Sequence, residues 1–121
     1  MEDLLLSESE YRVMDEVWNN APVGSGELVK ILGRKYDWKK STTYTMLKRL
    51  ADKGLVKNED SKVTYLVPKS SVQMSESKHL VQRSFGGSLS AFVSAFLGSG
   101  SVTKEDAAEL INLIESHFDE K

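Results

Sequence analysis

A mainly α fold carrying one small β-hairpin is what this sequence predicts, and three observations lead there. The stretch WKKSTTYTMLKRLADKGLV, from Trp38 to Val56, packs a polar, basic helix, a glycine stop and the start of a hairpin into nineteen residues. Two helical patterns precede it, and two amphipathic patterns follow a segment rich in Ser and Lys. Three helices and a hairpin in that order predict a winged helix-turn-helix domain over residues 1–70. The remaining patterns predict a helical dimerisation domain over 71–121.

The first helix is expected over about 8–19, because Ser7 and Glu10 form a capping box ahead of Tyr11, Met14, Val17 and Trp18 at helical spacing. Residues 19–24 read as a connector. Ser25 is placed to cap a second helix carrying Leu28, Val29 and Leu32 and ending near Lys35. Trp38 leads into the third helix, and Gly54 stands where a helix takes a left-handed C-terminal residue. Leu55-Val56 and Tyr65-Leu66 then flank the turn-rich Asn58–Ser61 as a hairpin that closes before Pro68. Lys69–Ser77 reads as a hinge or a ragged helix start. Leu80, Val81, Leu89, Phe92, Val93, Phe96 and Leu97 follow a helical pattern broken by Gly86-Gly87 and ended by Gly98–Ser101. Thr103 and Asp106 form a second capping box before Ala107, Leu110, Ile111, Ile114 and Phe118. Two amphipathic helices alone cannot bury both stripes, so Leu89, Phe92, Val93, Phe96, Leu97, Leu110, Ile111 and Ile114 are expected at a homodimer interface.

With 121 residues, 40% hydrophobic and 28% charged, the chain has an ordinary globular composition. No apolar run approaches the roughly 20 residues of a membrane span, so no membrane insertion is expected. The acidic start MEDLLLSESE lacks the features of a secretory signal, which points to the cytoplasm. There is no cysteine, hence no disulfide framework and no thiolate metal site. The net charge of -2 conceals segregation: residues 1–29 carry seven acids against Arg12, residues 30–62 carry ten bases against four acids, and residues 69–121 carry seven acids against five bases. The basic block coincides with the third helix and hairpin, the footprint of a surface that meets phosphates.

Catalytic chemistry finds little support. His79 and His117 are isolated, with no zinc-ligand or nucleophile–base spacing, and the Gly-Ser-Gly runs at 24–26 and 98–100 lack the later residues of a phosphate loop. No enzyme activity, metal or cofactor is expected. Asp15-Glu16 and Asp119-Glu120 are adjacent, diverge on a helix and read as solvated. On the third helix two frames compete. Either Tyr44, Leu47, Leu50 and Ala51 point inward, or Thr43, Met46, Leu47 and Leu50 do. Thr45 and Arg49 face outward in both, one turn apart, where Arg can grip a guanine edge and Thr a phosphate or a thymine methyl. Ser41, Thr42, Tyr44 and Lys48 complete the expected DNA-reading set, with Lys39, Lys40, Lys57 and Lys62 serving phosphates. Trp18 and Trp38 read as core residues. An alternative is a winged-helix protein-interaction module that uses the same helix against an acidic partner.

The run Leu6–Glu10 to Val17-Trp18, then Asp37-Trp38, then Thr42-x-x-Thr45-x-Leu47-x-Arg49-Leu50-x-x-Lys53-Gly54, resembles the penicillinase-repressor family, BlaI/MecI/CopY. The resemblance covers nearly the whole chain and includes Gly86-Gly87. It implies a bacterial dimeric repressor whose double-stranded operator DNA is an inverted repeat, and it favours the second frame, with Met46 buried and Tyr44 facing DNA. Lys39-Lys40 stands where many relatives have a capping Ser and a following polar or Pro residue. Family members differ in their release. The copper branch uses a Cys-rich tail, which this chain lacks. The β-lactam branch is cleaved in its dimerisation helices through a sensor-linked protease. Alignment on Gly86-Gly87 places that region near Ala95-Phe96, where the residue before the bond differs from the Asn of relatives.

Overall fold

The computed structural model describes residues 4–119. In chain order the elements are α1 (Glu8–Asn20), β1 (Val23–Gly24), α2 (Ser25–Tyr36), α3 (Lys40–Asp52), β2 (Val56–Glu59), β3 (Lys62–Tyr65), α4 (Lys69–Phe85), α5 (Leu89–Gly98) and α6 (Lys104–Asp119). The chain divides into two compact units, Met1–Ser77 and Lys78–Lys121, the division falling within α4.

In the first unit, α1 starts as its sequence dictates: Ser7 Oγ accepts from the Glu10 N–H at 3.2 Å, and Glu10 Oε1 accepts from the Ser7 N–H at 2.8 Å. Ser25 does not cap α2. The N-cap is Gly24, which makes no side-chain cap bond, while Ser25 is buried as the first helical residue and donates its N–H to Ser61 O at 2.9 Å. The reason is that residues 23 and 24, which read as part of a connector, form a strand. Val23-Gly24 pairs antiparallel with Val63 and Lys62, giving a three-stranded sheet in the order β1-β3-β2. Two residues are too few to show alternation, so only the partner strand reveals them.

Helix α3 ends in a turn completed by Gly54 at φ 81°, a conformation that side chains with a Cβ resist. The next residue, Leu55, is buried and donates its N–H to Leu50 O. The hairpin register pairs Val56 with Tyr65 and Glu59 with Lys62. Asp60 and Ser61, both with positive φ (54° and 61°), form the two-residue turn that matches strand twist. Asn58 and Glu59, expected in the turn, belong to β2.

The core of this unit is built from Val13, Met14 and Val17 of α1, Leu28 and Leu32 of α2, Leu47 and Leu50 of α3, and Val23, Leu55, Val56 and Val63 around the sheet, closed by Val72 of α4. Trp18 and Trp38 pack against it, as expected of core-type tryptophans, and Trp18 Nε1 donates to Val67 O at 3.0 Å. Lys69–Ser77 is regular helix, not a hinge, and Val72 is the side chain that holds it to the core.

In the second unit, Gly86 and Gly87 adopt φ 58° and 85° and end α4, with the Gly87 N–H bound to Val81 O at 3.0 Å. Ser88 caps α5 by accepting from the Ala91 N–H. The Thr103–Asp106 capping box forms with both bonds at 3.0 Å. Phe85, Phe92 and Phe96 make a short aromatic ladder with centroid separations of 5.5 and 6.2 Å. Neither α5 nor α6 contains a buried residue.

Candidate nucleic-acid interface

The turn between α2 and α3 sets the pose of the third helix. Asp37 adopts a left-handed conformation at φ 58° and its N–H closes on Gly33 O, after which half-buried Trp38 leans on Tyr36 at 6.1 Å. Lys39 is the N-cap of α3 and makes no side-chain cap bond, so the first turn combines two lysines with no acidic residue. That arrangement favours anions, because free N–H groups and helix dipole point the same way as the lysine charge.

Burial decides the frame of α3. Thr43, Leu47 and Leu50 are buried and Met46 is half-buried, whereas Tyr44 and Ala51 are exposed. The second frame is the one adopted. Ser41, Tyr44, Thr45, Lys48 and Arg49 are exposed and Thr42 is half-buried. Lys40 Nζ lies 5.9 Å from the Tyr44 ring centroid, and Lys48 reaches back to Asp52 at 3.7 Å.

Two lysines of the basic block are paired with buried carboxylates. Lys53, the C-cap of α3, binds the buried Glu10 carboxylate at 2.9 Å, and Lys35, in the last turn of α2, binds buried Glu16 at 2.6 Å. Glu16 also accepts from Asn20 Nδ2 at 3.4 Å. Its burial corrects the expectation of a solvated Asp15-Glu16 pair; Asp15 in turn pairs with Lys69 at 3.2 Å. Burial pushes the Glu10 carboxyl up, but the Lys53 ammonium and the Ser7 N–H outweigh it and hold the group below its ordinary range. The Glu16 hydrogen bond and charge hold Lys35 above the usual lysine value. Helix α1 thus uses its acidic character to fasten the C-terminal ends of both α2 and α3.

The phosphate-contacting set divides as well. Lys57 is paired with Glu59 at 3.3 Å. Among the described residues Lys39, Lys40, Lys62 and Arg49 form no salt bridge, nor do Lys30 and Arg34. No group of three His, Asp or Glu side chains among the described residues is arranged to hold a metal ion.

Of the residues expected at a dimer interface, Leu89, Val93, Phe96, Leu97, Leu110, Ile111 and Ile114 are exposed and Phe92 is half-buried. Leu113 and Phe118 are exposed too, at 65% and 72%. An open groove of about 550 Å³ runs beside them, lined by Phe96, Val102, Leu110 and Leu113. Ala95 and Phe96 are exposed and lie within α5.

Three helices, a three-stranded sheet and an outward polar face on the third helix define a winged helix-turn-helix protein. The family model described as penicillinase repressor matches residues 6–116, and the chain belongs to that family. It is 28% identical over 120 residues to the penicillinase repressor of Bacillus licheniformis, covering 96% of this chain and 94% of that one. The solution structure of the DNA-binding domain of the repressor BlaI is similar to it with a TM-score of 0.51 at 28% identity, covering 58% of this chain and 90% of that one. A solution structure of the monomeric form of Bacillus licheniformis BlaI in complex with the blaP half-operator gives 0.50 at 27% identity, with the same coverage.

Proposed function

We propose that this protein is a dimeric, sequence-specific DNA-binding transcriptional repressor acting on an inverted-repeat operator. The observation that carries the reading is the exposed face of α3, where Thr45 and Arg49 stand one turn apart, opposite the buried Thr43, Leu47 and Leu50. Membership of the penicillinase-repressor family supports it, as does similarity to a structure of a relative in complex with a half-operator. Thr45, Arg49, Ser41, Thr42, Tyr44 and Lys48 read bases and neighbouring phosphates, and Lys39, Lys40 and Lys62 hold the backbone, with Lys57 available once it leaves Glu59. The unit Met1–Ser77 carries DNA binding and the unit Lys78–Lys121 carries dimerisation. We set the boundary after Ser77, not at 70, because Val72 belongs to the core of the first unit.

The regulated genes in this reading are of the β-lactam-resistance type, and release follows proteolysis near Ala95-Phe96 by a protease linked to a sensor. Cutting α5 splits the aromatic ladder and the apolar face that a second copy must cover. Loss of the dimer then weakens DNA binding without any change in α3.

Arg49→Ala tests the central claim. Mobility shifts on operator DNA should show a loss of about 1 to 3 kcal/mol and a relaxed base preference at one position of each half-site. Equal affinity of variant and wild type at matched salt removes Arg49 from the readout. Binding to an acidic protein in preference to duplex DNA would move α3 to protein recognition.

A further inference from the structure

The wing holds an acid where a phosphate-binding hairpin needs none. Lys57 and Glu59 are two residues apart on β2, so strand alternation places them on one face, and their side chains meet at 3.3 Å. Glu59 is also the register partner of Lys62 on β3. Directly opposite residues of an antiparallel pair have Cβ atoms about 5 Å apart. One carboxylate therefore neighbours both lysines that the wing offers to DNA. With Asp60 next in the turn, the tip carries two positive and two negative charges.

This pair is not needed to hold the hairpin. Both side chains are more than half exposed, and such pairs add little to stability. The hairpin is held instead by buried Val56 and Val63 and by the two positive-φ residues of its turn. What Glu59 changes is the charge that the wing presents to a polyanion.

We propose that Glu59 is a brake on DNA binding: its carboxylate competes with phosphates for Lys57 and Lys62 and repels the backbone they approach. The proposal rests on the DNA-binding reading of the first unit. Phosphate contacts carry no sequence information, so the brake lowers affinity for every duplex alike and limits the time the protein spends on bulk DNA.

The test uses the full chain, its Glu59→Gln variant and a mixed-sequence duplex, titrated between about 50 and 200 mM salt. Glu59→Gln should bind about five- to thirtyfold tighter at the lowest salt, and its log affinity should fall with log salt about one to two units more steeply. Adding Lys57→Ala and Lys62→Ala to Glu59→Gln should erase the gain. Melting curves of Glu59→Gln and wild type should coincide, and Glu59→Thr serves if the amide variant fails to fold. Unchanged or weaker binding by a folded Glu59 variant overturns the proposal, as does a gain that survives loss of both lysines. If wild type and variant alike show no salt-sensitive binding to duplex DNA, the underlying DNA-binding reading fails and the brake falls with it.

Discussion

The two units of this chain have similar apolar patterns and opposite burial. From Val13 to Val72 twelve apolar side chains are almost fully enclosed, whereas from Lys78 onward no residue among those described is buried. Val93, Phe96, Leu97, Leu110, Ile111, Leu113, Ile114 and Phe118 are 42–72% exposed. Helices close a core only when a third layer covers them. In the first unit the hairpin and the start of α4 supply that layer; in the second, α5 and α6 contain no buried residue. The first unit is a finished fold, and the second has the surface of a half-built one. In the functional reading this separates the two tasks, so that DNA contact and self-association are disturbed by different substitutions.

The largest effect expected from breaking that contrast comes from Phe96→Asp. A charge placed in the uncovered face should yield a monomer by sedimentation and lower affinity for an inverted-repeat operator by about 10²- to 10⁴-fold. The melting transition of the first unit should not move. A dimeric Phe96→Asp chain would show that another surface associates. Next, Leu50→Ala opens a cavity at a side chain with no exposure in the finished core. We expect a loss of about 2 to 5 kcal/mol in denaturant unfolding. A loss below about 1 kcal/mol would mean that the first unit is looser than its burial indicates.

A smaller effect is expected at Lys53→Met, which leaves the Glu10 carboxylate buried with only Ser7 as partner. Lys53 is itself partly exposed, so the cost should be about 1 kcal/mol. The sign of its pH dependence follows from the lowered Glu10 value. The stability gained from a depressed carboxyl is fully present above the unfolded glutamate value of about 4.3 and is lost as pH falls through the folded value beneath it. Wild type and variant should therefore differ at neutral pH and converge in acid, a pattern readable from melts across that window. A gap that persists in acid assigns the effect to packing. The smallest change is Thr43→Val. Thr43 Oγ1 is buried without a hydrogen-bond partner among the described residues. Removing it should leave stability equal or raise it by about 1 kcal/mol, and a clear loss would reveal a hydrogen bond at that hydroxyl.

Local devices were legible because each is written in a few adjacent residues. The Ser7–Glu10 and Thr103–Asp106 boxes, the Gly54 stop and the Gly86-Gly87 break all form as their spacing predicts. The outward position of Thr45 and Arg49 was legible too, because both frames of α3 agree on it. The choice between the frames was not, since Tyr44 and Met46 are both large enough to be core residues and only the resemblance to the family favoured one. Ser25 misled for a related reason: a Ser before an apolar pattern signals a cap, but pairing of Val23-Gly24 with β3 makes Gly24 the N-cap and leaves Ser25 as the first helical residue.

By itself the sequence determined the order of the helices and the hairpin, the caps of α1 and α6, the glycine ends of α3 and α4 and the segregation of charge, because capping, periodicity and composition act over a few residues. Tertiary structure alone decided which charges are available. Glu10 meets Lys53, and Glu16 meets Lys35, across 43 and 19 residues of chain. Lys62 faces Glu59 only because the hairpin closes in that register. A block of ten bases is thereby thinned to a smaller set of unpaired cations, and the pairing depends on distances in space that no spacing along the chain encodes.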